Sequence, residues 1–181
     1  MKKHVILTAL SLVVCIPTIL QAQQAQGVSA PPDRVTVIKA AKEVMTKARY
    51  CALITIGDDG QPQARVVDPF FPEDDMTVWL ATSPATRKVA QIVKDPRVTL
   101  FYFDTGTQGY VTVLGKAELI RDPAEKAKQW KEEWASFYKD KNRGDDYMLI
   151  RVKPRRLEIV SYAHGLANDP QTWRPVMLEL P

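Results

Sequence analysis

Residues 78–94 have the sequence VWLATSPATRKVAQIVK, which joins an apolar strand directly to a helix that begins among hydroxyl side chains. The apolar residues at its start predict a buried strand. Thr82 and Ser83 supply hydroxyl groups of the kind that cap helices, and Pro84 is the predicted first helical residue. We interpret the rest of the chain around this strand–helix unit.

Two basic residues, Arg87 and Lys88, lie within about a turn and a half of the predicted helix start. A helix start presents unpaired N–H groups and the positive end of the helix dipole. With the hydroxyl groups of Thr82 and Ser83, these features predict a site for a phosphate group. On spacing alone, an ordinary capped helix with a solvated basic face remains the alternative.

Length and composition predict one globular domain, which we place at residues 33–181. The chain has 181 residues, of which 45% are hydrophobic and 25% are charged, and this is enough for a sizeable core. The formal net charge is +4, and it falls to +2 without Lys2 and Lys3. This balance, without a long basic run, argues against a nucleic-acid partner.

The N-terminus has the three parts of a secretory signal. Basic residues precede an apolar run over residues 5–20, and small and polar residues follow, with Ala22 as the last residue before cleavage. We therefore predict a signal peptide over residues 1–22, a flexible leader over residues 23–32, and an exported protein that is periplasmic or extracellular in a bacterium. The run is short for a membrane span, so no stable span is predicted after cleavage, and a retained anchor or lipid is the alternative.

Cys51 and His164 are the cysteine and the histidine that would remain after cleavage. Cys51 then has no partner for an intramolecular disulfide, and its apolar surroundings predict a small buried core residue. A single histidine without a cysteine cluster argues against a metal site built by the protein.

Sequence patterns predict a mainly β chain with inserted helices. One helix runs from an Asp33 cap to about Ala48, and a second is predicted from Asp122 to about Tyr138, with an aromatic stripe that includes Trp130 and Trp134 and packs in the core or at an interface. Six or seven strands are predicted at residues 50–56, 63–68, 76–81, 97–103, 110–120, 147–152 and 156–161, followed by an irregular tail. Gly115 predicts a bulge or a close backbone approach. This order favours a closed or split antiparallel barrel over a doubly wound sheet.

Two separated segments carry a family resemblance. LATSPATRK at residues 80–88 and LGKAE at residues 114–118 stand in this order, with DPRVTLFYF between them. This arrangement is similar to the pyridoxamine 5′-phosphate oxidase-like superfamily of flavin-binding split barrels, which includes general stress protein 26-like proteins. Arg65–Val66–Val67 on the preceding hairpin strand resembles the Arg-led flavin segment of that family. The resemblance covers roughly residues 33–161.

The resemblance implies a six-stranded antiparallel split β-barrel that forms a homodimer and holds FMN where the two subunits meet. Arg87 and Lys88 match the positions that grip the FMN phosphate. Arg65, Val66 and Val67 match the strand whose residues line the phosphate and the isoalloxazine. Thr82 matches a hydroxyl-bearing position beside the phosphate, with Ala81 contributing backbone, and Ser83 joins the predicted site through its hydroxyl at the helix start.

The chain departs from the family pattern in two places. Tyr110 falls where the oxidases carry a Gln that touches the flavin, and a Tyr can stack or donate one hydrogen bond but cannot offer both amide groups. The C-terminal QTWRPVMLELP, residues 171–181, lacks the Arg-Leu-x-Pro ending of the oxidases. Pyridoxamine 5′-phosphate oxidase activity is therefore not expected.

The sequence-based hypothesis is an FMN-dependent oxidoreductase that acts on a small-molecule substrate, with no catalytic acid or base identified by spacing. The alternative is a non-catalytic flavin or haem carrier on the same barrel. His164 would be the haem ligand in that case, although its Gly- and Pro-containing tail favours an ordinary surface residue. A deazaflavin reductase is a third hypothesis.

Overall fold

Seven strands form one antiparallel sheet, and three α-helices are inserted between the strands or precede them, of which α1 and α2 contact the sheet. The computed structural model describes residues 32–181. The helices are α1 (Arg34–Ala48), α2 (Arg87–Lys94) and α3 (Pro123–Lys128). The strands are β1 (Cys51–Ile56), β2 (Pro62–Val67), β3 (Val78–Thr82), β4 (Arg97–Asp104), β5 (Gly109–Ile120), β6 (Met148–Val160) and β7 (Val176–Glu179). The predicted signal peptide and residues 23–31 of the leader lie outside the described residues and stay predictions.

The sheet curls into an incompletely closed barrel. Its strand order is β2-β1-β4-β5-β6-β3, and β7 pairs with β6 beside this path. The two end strands approach each other through one bridge between Pro69 and Leu80, and the Phe70 N–H donates to the Trp79 carbonyl at 2.9 Å. The predicted mainly β split barrel is therefore confirmed, with a seventh strand added to the six of the path.

The barrel interior is filled by the inward side of each strand and by α1. Asp33 caps α1, as predicted, by accepting a hydrogen bond from the Thr36 N–H at 3.0 Å. The helix places its apolar face over the sheet through Val37, Ala40, Ala41, Val44 and Met45. Cys51 is buried in the same core, as predicted, and burial raises the pKa of its thiol to about 12.

The helix predicted from Asp122 to about Tyr138 is shorter than expected. Asp122 caps α3, but α3 ends at Lys128, and a short 3₁₀ helix follows at Glu132–Ser136. The Gln129 carbonyl, which a continuing helix would use internally, instead accepts the Tyr147 hydroxyl. In place of a longer helix, this segment contributes to a cluster of aromatic rings around Tyr147. Trp134 is buried in this cluster, and both Trp130 and Trp134 pack against the Tyr147 ring.

The two strands predicted between residues 147 and 161 are one continuous strand, β6. Pro154 does not interrupt β6, because the pairing of β6 with β5 shifts by one residue at this point. Gly115 of β5 pairs with Pro154, and Arg155 has no partner on β5. The predicted bulge at Gly115 is therefore confirmed. The tail is also more regular than predicted, since β7 pairs with the second half of β6.

Within residues 32–181, no helix combines the length and the apolar character needed to cross a bilayer.

Gly115→Ala is expected to destabilise the fold by about 2–3 kcal/mol, because an added Cβ would lie 2.2 Å from the Lys153 carbonyl oxygen, which is backbone and cannot swing away. Urea unfolding of the purified chain measures the change. Gly106→Ala is the matched control, since the nearest atom to its Cβ would be the Asp104 Oδ1 at 3.3 Å. Equal free energies of unfolding for the two variants would contradict the close approach of the Gly115 and Lys153 backbones.

Candidate functional site

Seven of the nine predicted site residues meet in one cavity of about 470 Å³. β2, β3 and the start of α2 supply them: Arg65, Val66, Val67, Ala81, Thr82, Ser83 and Lys88. Sequence reasoning did not assign the remaining lining residues to the site: Asp68, Thr86, Trp134, Phe137 and Tyr138. Arg87 and Tyr110 do not line the cavity.

The start of α2 differs from the prediction. The helix begins at Arg87 and not at Pro84, because the Thr86 N–H donates to the Ser83 carbonyl at 3.2 Å and closes a turn. Pro84 occupies the second position of this turn, which suits its fixed φ as well as a helix start does. Arg87 and Lys88 are consequently the first two helical residues, nearer to the free N–H groups than predicted.

Hydroxyl groups hold the Lys88 ammonium at the cavity. Its Nζ donates to the Thr82 Oγ1 at 2.9 Å, and Thr82 also contacts the Thr86 hydroxyl at 3.1 Å. Thr82 is 3% exposed, and its hydroxyl contacts these polar groups and does not cap α2, whose N-cap is Thr86. Burial, and then the charge of Arg65, lower the pKa of Lys88.

A buried polar network fixes Arg65 beneath α2. The guanidinium donates to the Thr55 Oγ1 at 2.6 Å and to the Gln91 Oε1 at 3.0 Å. Gln91 also accepts from the Thr55 hydroxyl at 2.6 Å and donates to the Gln63 Oε1 at 2.8 Å. Arg65 is therefore partly buried in the cavity wall and is held there by hydrogen bonds.

Sequence reasoning missed Gln91 and Thr55. On α2 the apolar Val93 is 70% exposed, whereas the polar Gln91 is buried. In the sequence, Gln91 is noticeable only because it stands next to the apolar residue Ile92. A single glutamine in such a position is ordinarily solvated, so this pattern does not predict its burial. The partners of the buried amide come from β1 and β2, through Thr55, Gln63 and Arg65.

Three cations gather at this end of the barrel without an acidic partner. Within residues 32–181, Arg65, Arg87 and Lys88 take part in no ion pair. Burial, and then the charge of Arg87, lower the pKa of Arg65, so Arg87 acts on the site although its own side chain is exposed. The carboxylate that lines the cavity, Asp68, is bound to Lys131 at 2.8 Å and accepts from the Trp134 Nε1 at 3.2 Å. The arrangement favours binding of an anion.

Tyr110 lies away from the cavity on the outward face of β5. Its ring packs on Phe101 with the centroids 5.8 Å apart. Within one chain, the structure does not bring it to the other predicted site residues.

His164 lies outside the cavity, and both its ring nitrogens are engaged. Its Nδ1 lies 2.8 Å from the Ser161 Oγ, and its Nε2 lies 3.1 Å from the Glu43 Oε2. A role as an axial haem ligand would require one of these contacts to break. Within residues 32–181, no group of three His, Cys, Asp or Glu side chains is placed to hold a metal ion.

Comparison with known proteins gives one family match. The model of the family described as pyridoxamine 5′-phosphate oxidase matches residues 37–161, which is more than two thirds of the chain. No match was found among curated protein sequences.

Solved structures share the fold at low sequence identity. General stress protein 26 from Bacillus anthracis is 19% identical with a TM-score of 0.64, over 80% of this chain and 98% of that one. A pyridoxamine 5′-phosphate oxidase-related, FMN binding protein from Nostoc punctiforme is 18% identical with a TM-score of 0.54, over 84% of this chain and 99% of that one. A haem binding protein from Mycobacterium smegmatis is 20% identical with a TM-score of 0.55, over 72% of this chain and 55% of that one. At this identity the likeness establishes the fold alone.

Lys88→Met is expected to raise the free energy of unfolding of the ligand-free chain at pH 7 by up to about 1 kcal/mol after solvent screening, because it removes one of three clustered cations. The pKa of Lys88 is lower in the folded chain than in the unfolded chain, so the unfolded chain binds the proton more tightly. The wild type should therefore gain stability relative to the variant as the pH rises through the folded-state pKa.

Urea unfolding at pH 7 and at pH 10 tests this expectation. Lys39→Met, which removes an exposed lysine of α1, is the control and should leave the pH dependence unchanged. A Lys88→Met chain that is less stable than the wild type at both pH values would show that the ammonium stabilises the fold.

Proposed function

Because this chain belongs to the pyridoxamine 5′-phosphate oxidase family, we propose that it is a flavoprotein that binds FMN in the cavity between β2, β3 and α2. The observation that carries the proposal is the cluster of Arg65, Arg87 and Lys88, which has no acidic partner within residues 32–181. A dianionic phosphate would relieve the repulsion among these cations.

The residues present fit the chemistry of FMN. Lys88, the Thr82 hydroxyl and the free N–H groups at the start of α2 would hold the phosphate. The apolar part of the cavity wall would face the planar ring system through Val66, Val67, Trp134, Phe137 and Tyr138. A phosphate seat beside an apolar wall is the combination that a flavin mononucleotide requires.

FMN, when bound, supplies hydride and electron transfer. The chain's own contribution is binding and orientation, because the lining residues include no histidine and the Asp68 carboxylate is occupied by Lys131 and Trp134. We propose an oxidoreductase that passes electrons between a reduced donor and a small-molecule substrate, distinct from pyridoxamine 5′-phosphate oxidase itself.

That the lining residues include no histidine and no unpaired carboxylate also favours a second candidate, a flavin carrier without turnover. Addition of a reduced nicotinamide cofactor to the FMN-loaded protein separates the two. Bleaching of the flavin absorbance supports the enzyme, and an unchanged spectrum supports the carrier. The haem version of the carrier gains no support from His164, whose ring nitrogens are engaged by Ser161 and Glu43.

We further propose a homodimer that uses the outward face of the sheet. One row of directly paired residues crosses six strands: Val66, Ala52, Phe101, Thr112, Glu158 and Met177. Val66 is 75% exposed and Met177 is 54% exposed, and Phe101 is partly exposed between them. Val66 also lines the cavity, so the proposed flavin site opens onto this face. Tyr110 packs on Phe101 there, which would bring it to a flavin only at a subunit interface.

Export to the periplasm or beyond remains part of the proposal on the sequence of residues 1–22. It implies that FMN is acquired in that compartment or loaded before export.

Lys88→Met is expected to weaken FMN binding by about 1.5–3 kcal/mol, because it removes a charge-assisted contact to the phosphate, and to leave riboflavin binding unchanged. Fluorescence titration of both flavins into the wild type and the variant measures the difference, with Lys39→Met as the control. Absence of flavin binding by the wild type would refute the proposed function. An equal loss for both flavins would refute only the placement of the phosphate.

Phe101→Lys is expected to weaken dimer association by about 2 kcal/mol or more, since it places a charge at the centre of the proposed interface. Sedimentation velocity of the FMN-loaded protein measures the shift towards monomer. Val35→Lys, at an exposed apolar position on α1, is the matched control and should sediment like the wild type. A wild-type protein that is monomeric at all concentrations would contradict the dimer.

A further inference from the structure

A second cavity, of about 370 Å³, shares Asp68 with the candidate flavin cavity and otherwise has different walls. Its volume lies within the range of small-molecule sites. The end of α1, the segment after β2, the middle of β4 and the residues around Lys131 form its walls. The residues that carry the argument are Met45, Arg49, Pro69, Phe70, Phe71 and Glu133.

Four of the polar side chains in the walls of this second cavity are already engaged or out of reach. Lys131 and Asp68 form an ion pair with each other at 2.8 Å. The Thr46 hydroxyl donates to a backbone carbonyl of α1 at 2.7 Å. The Tyr102 hydroxyl is buried and offers no surface to the cavity. Two charged side chains then remain to interact with a ligand, and their charges are opposite.

These two charges are the Arg49 guanidinium and the Glu133 carboxylate, and both side chains are exposed. Within residues 32–181, neither forms an ion pair with the other or with any further residue. The Arg49 guanidinium lies 5.1 Å from the centre of the Tyr50 ring, which carries no charge and leaves the cation unbalanced. The cavity walls therefore offer a cation and an anion that do not neutralise each other directly.

The backbone holds Arg49 in an unfavourable conformation at the end of α1. Its φ is 61° and its ψ is −56°, and the Tyr50 N–H donates to the Ala48 carbonyl at 2.7 Å, which defines a γ-turn of the rare positive-φ kind. Glycine adopts a positive φ without steric cost, whereas arginine is strained there. Strain of this kind is concentrated at ligand sites, which agrees with a role for the guanidinium in binding.

The rest of the cavity wall is largely apolar. Phe70 and Phe71 contribute aromatic rings, Met45 adds an adaptable apolar surface, and Pro69 stiffens the segment that carries the two rings. Phe71 is 70% exposed, so a ligand that packs on it would remove apolar surface from water. This part of the wall suits an aromatic or large aliphatic group.

We propose that this second cavity binds a free α-amino acid with an aromatic or large apolar side chain. Arg49 would pair with the carboxylate of the ligand and Glu133 with its ammonium, while the ligand side chain would pack against Phe70 and Phe71. A ligand with a single charge would leave one of the two protein charges unpaired and would bring its own charge near a group of the same sign. The proposal does not rest on flavin binding.

Three probes with the same phenylethyl skeleton test the proposal on the purified full chain, in the absence of flavin. L-Phenylalanine carries both charges, 2-phenylethylamine carries only the ammonium, and 3-phenylpropanoate carries only the carboxylate. NMR titration at pH 7 should show the tightest binding for phenylalanine. Arg49→Gln should weaken phenylalanine binding by about fivefold, the upper value for a partly exposed ion pair, and should not weaken 2-phenylethylamine binding. Glu133→Gln should weaken phenylalanine to a similar extent and should not weaken 3-phenylpropanoate.

Two further variants control the measurement. Arg121→Gln removes an exposed arginine outside both cavities and should leave all three affinities unchanged. Phe71→Ala, at an exposed position that should tolerate the change, is expected to weaken all three probes by a similar factor, because it removes part of their shared apolar wall. Failure of the wild type to bind phenylalanine, or equal affinity for the three probes, would overturn the proposal. Unchanged phenylalanine affinity in Arg49→Gln or in Glu133→Gln would also overturn it.

Discussion

The pairing of β5 with β6 is the constraint on which the rest of the structure depends. The two strands pair along nearly their whole length, from Tyr110 opposite Val160 to Ile120 opposite Leu149, with one register shift at Gly115. The other edge of β6 then receives β3 along its first half and β7 along its second half. Pairing on both edges requires a β6 that continues past Pro154, and Gly115 permits this by allowing the backbones to approach. The position of β3, and with it the start of α2, follows from this pairing.

The candidate site is electrostatically costly in the absence of a ligand. Arg65 and Lys88 lose hydration, and each lies near another cation, so both pKa values fall. Hydrogen bonds to neutral groups partly replace the lost hydration, but they do not cancel the charges. These groups are the Thr82 and Thr55 hydroxyls and the Gln91 amide. Clusters of like charges without a counter-charge are typical of functional sites. A protein that keeps such a cluster is less stable than the same fold would be without it.

The sequence predicted the fold better than it predicted the details of the site. Strand alternation, the Asp33 cap and the bulge at Gly115 depend on local rules, and each is confirmed. The start of α2 was misplaced because Pro84 suits a turn and a helix start equally well. The roles of Gln91 and Thr55 were not predictable, since burial of a polar side chain depends on the partner that a distant strand supplies.

Arg65 has a consequence for the integrity of the sheet itself. β2 is an end strand, so only its pairing with β1 fixes which of its side chains face inward. A slip of one residue would turn the Arg65 side chain outward and Val66 inward, and the hydrogen bonds to Leu53, Thr55 and Gln91 would be lost together. An inward-pointing charge near an open sheet edge also opposes the addition of a strand from another molecule. The residue that we propose for ligand binding would therefore also protect the barrel against misregistered folding and edge-to-edge aggregation.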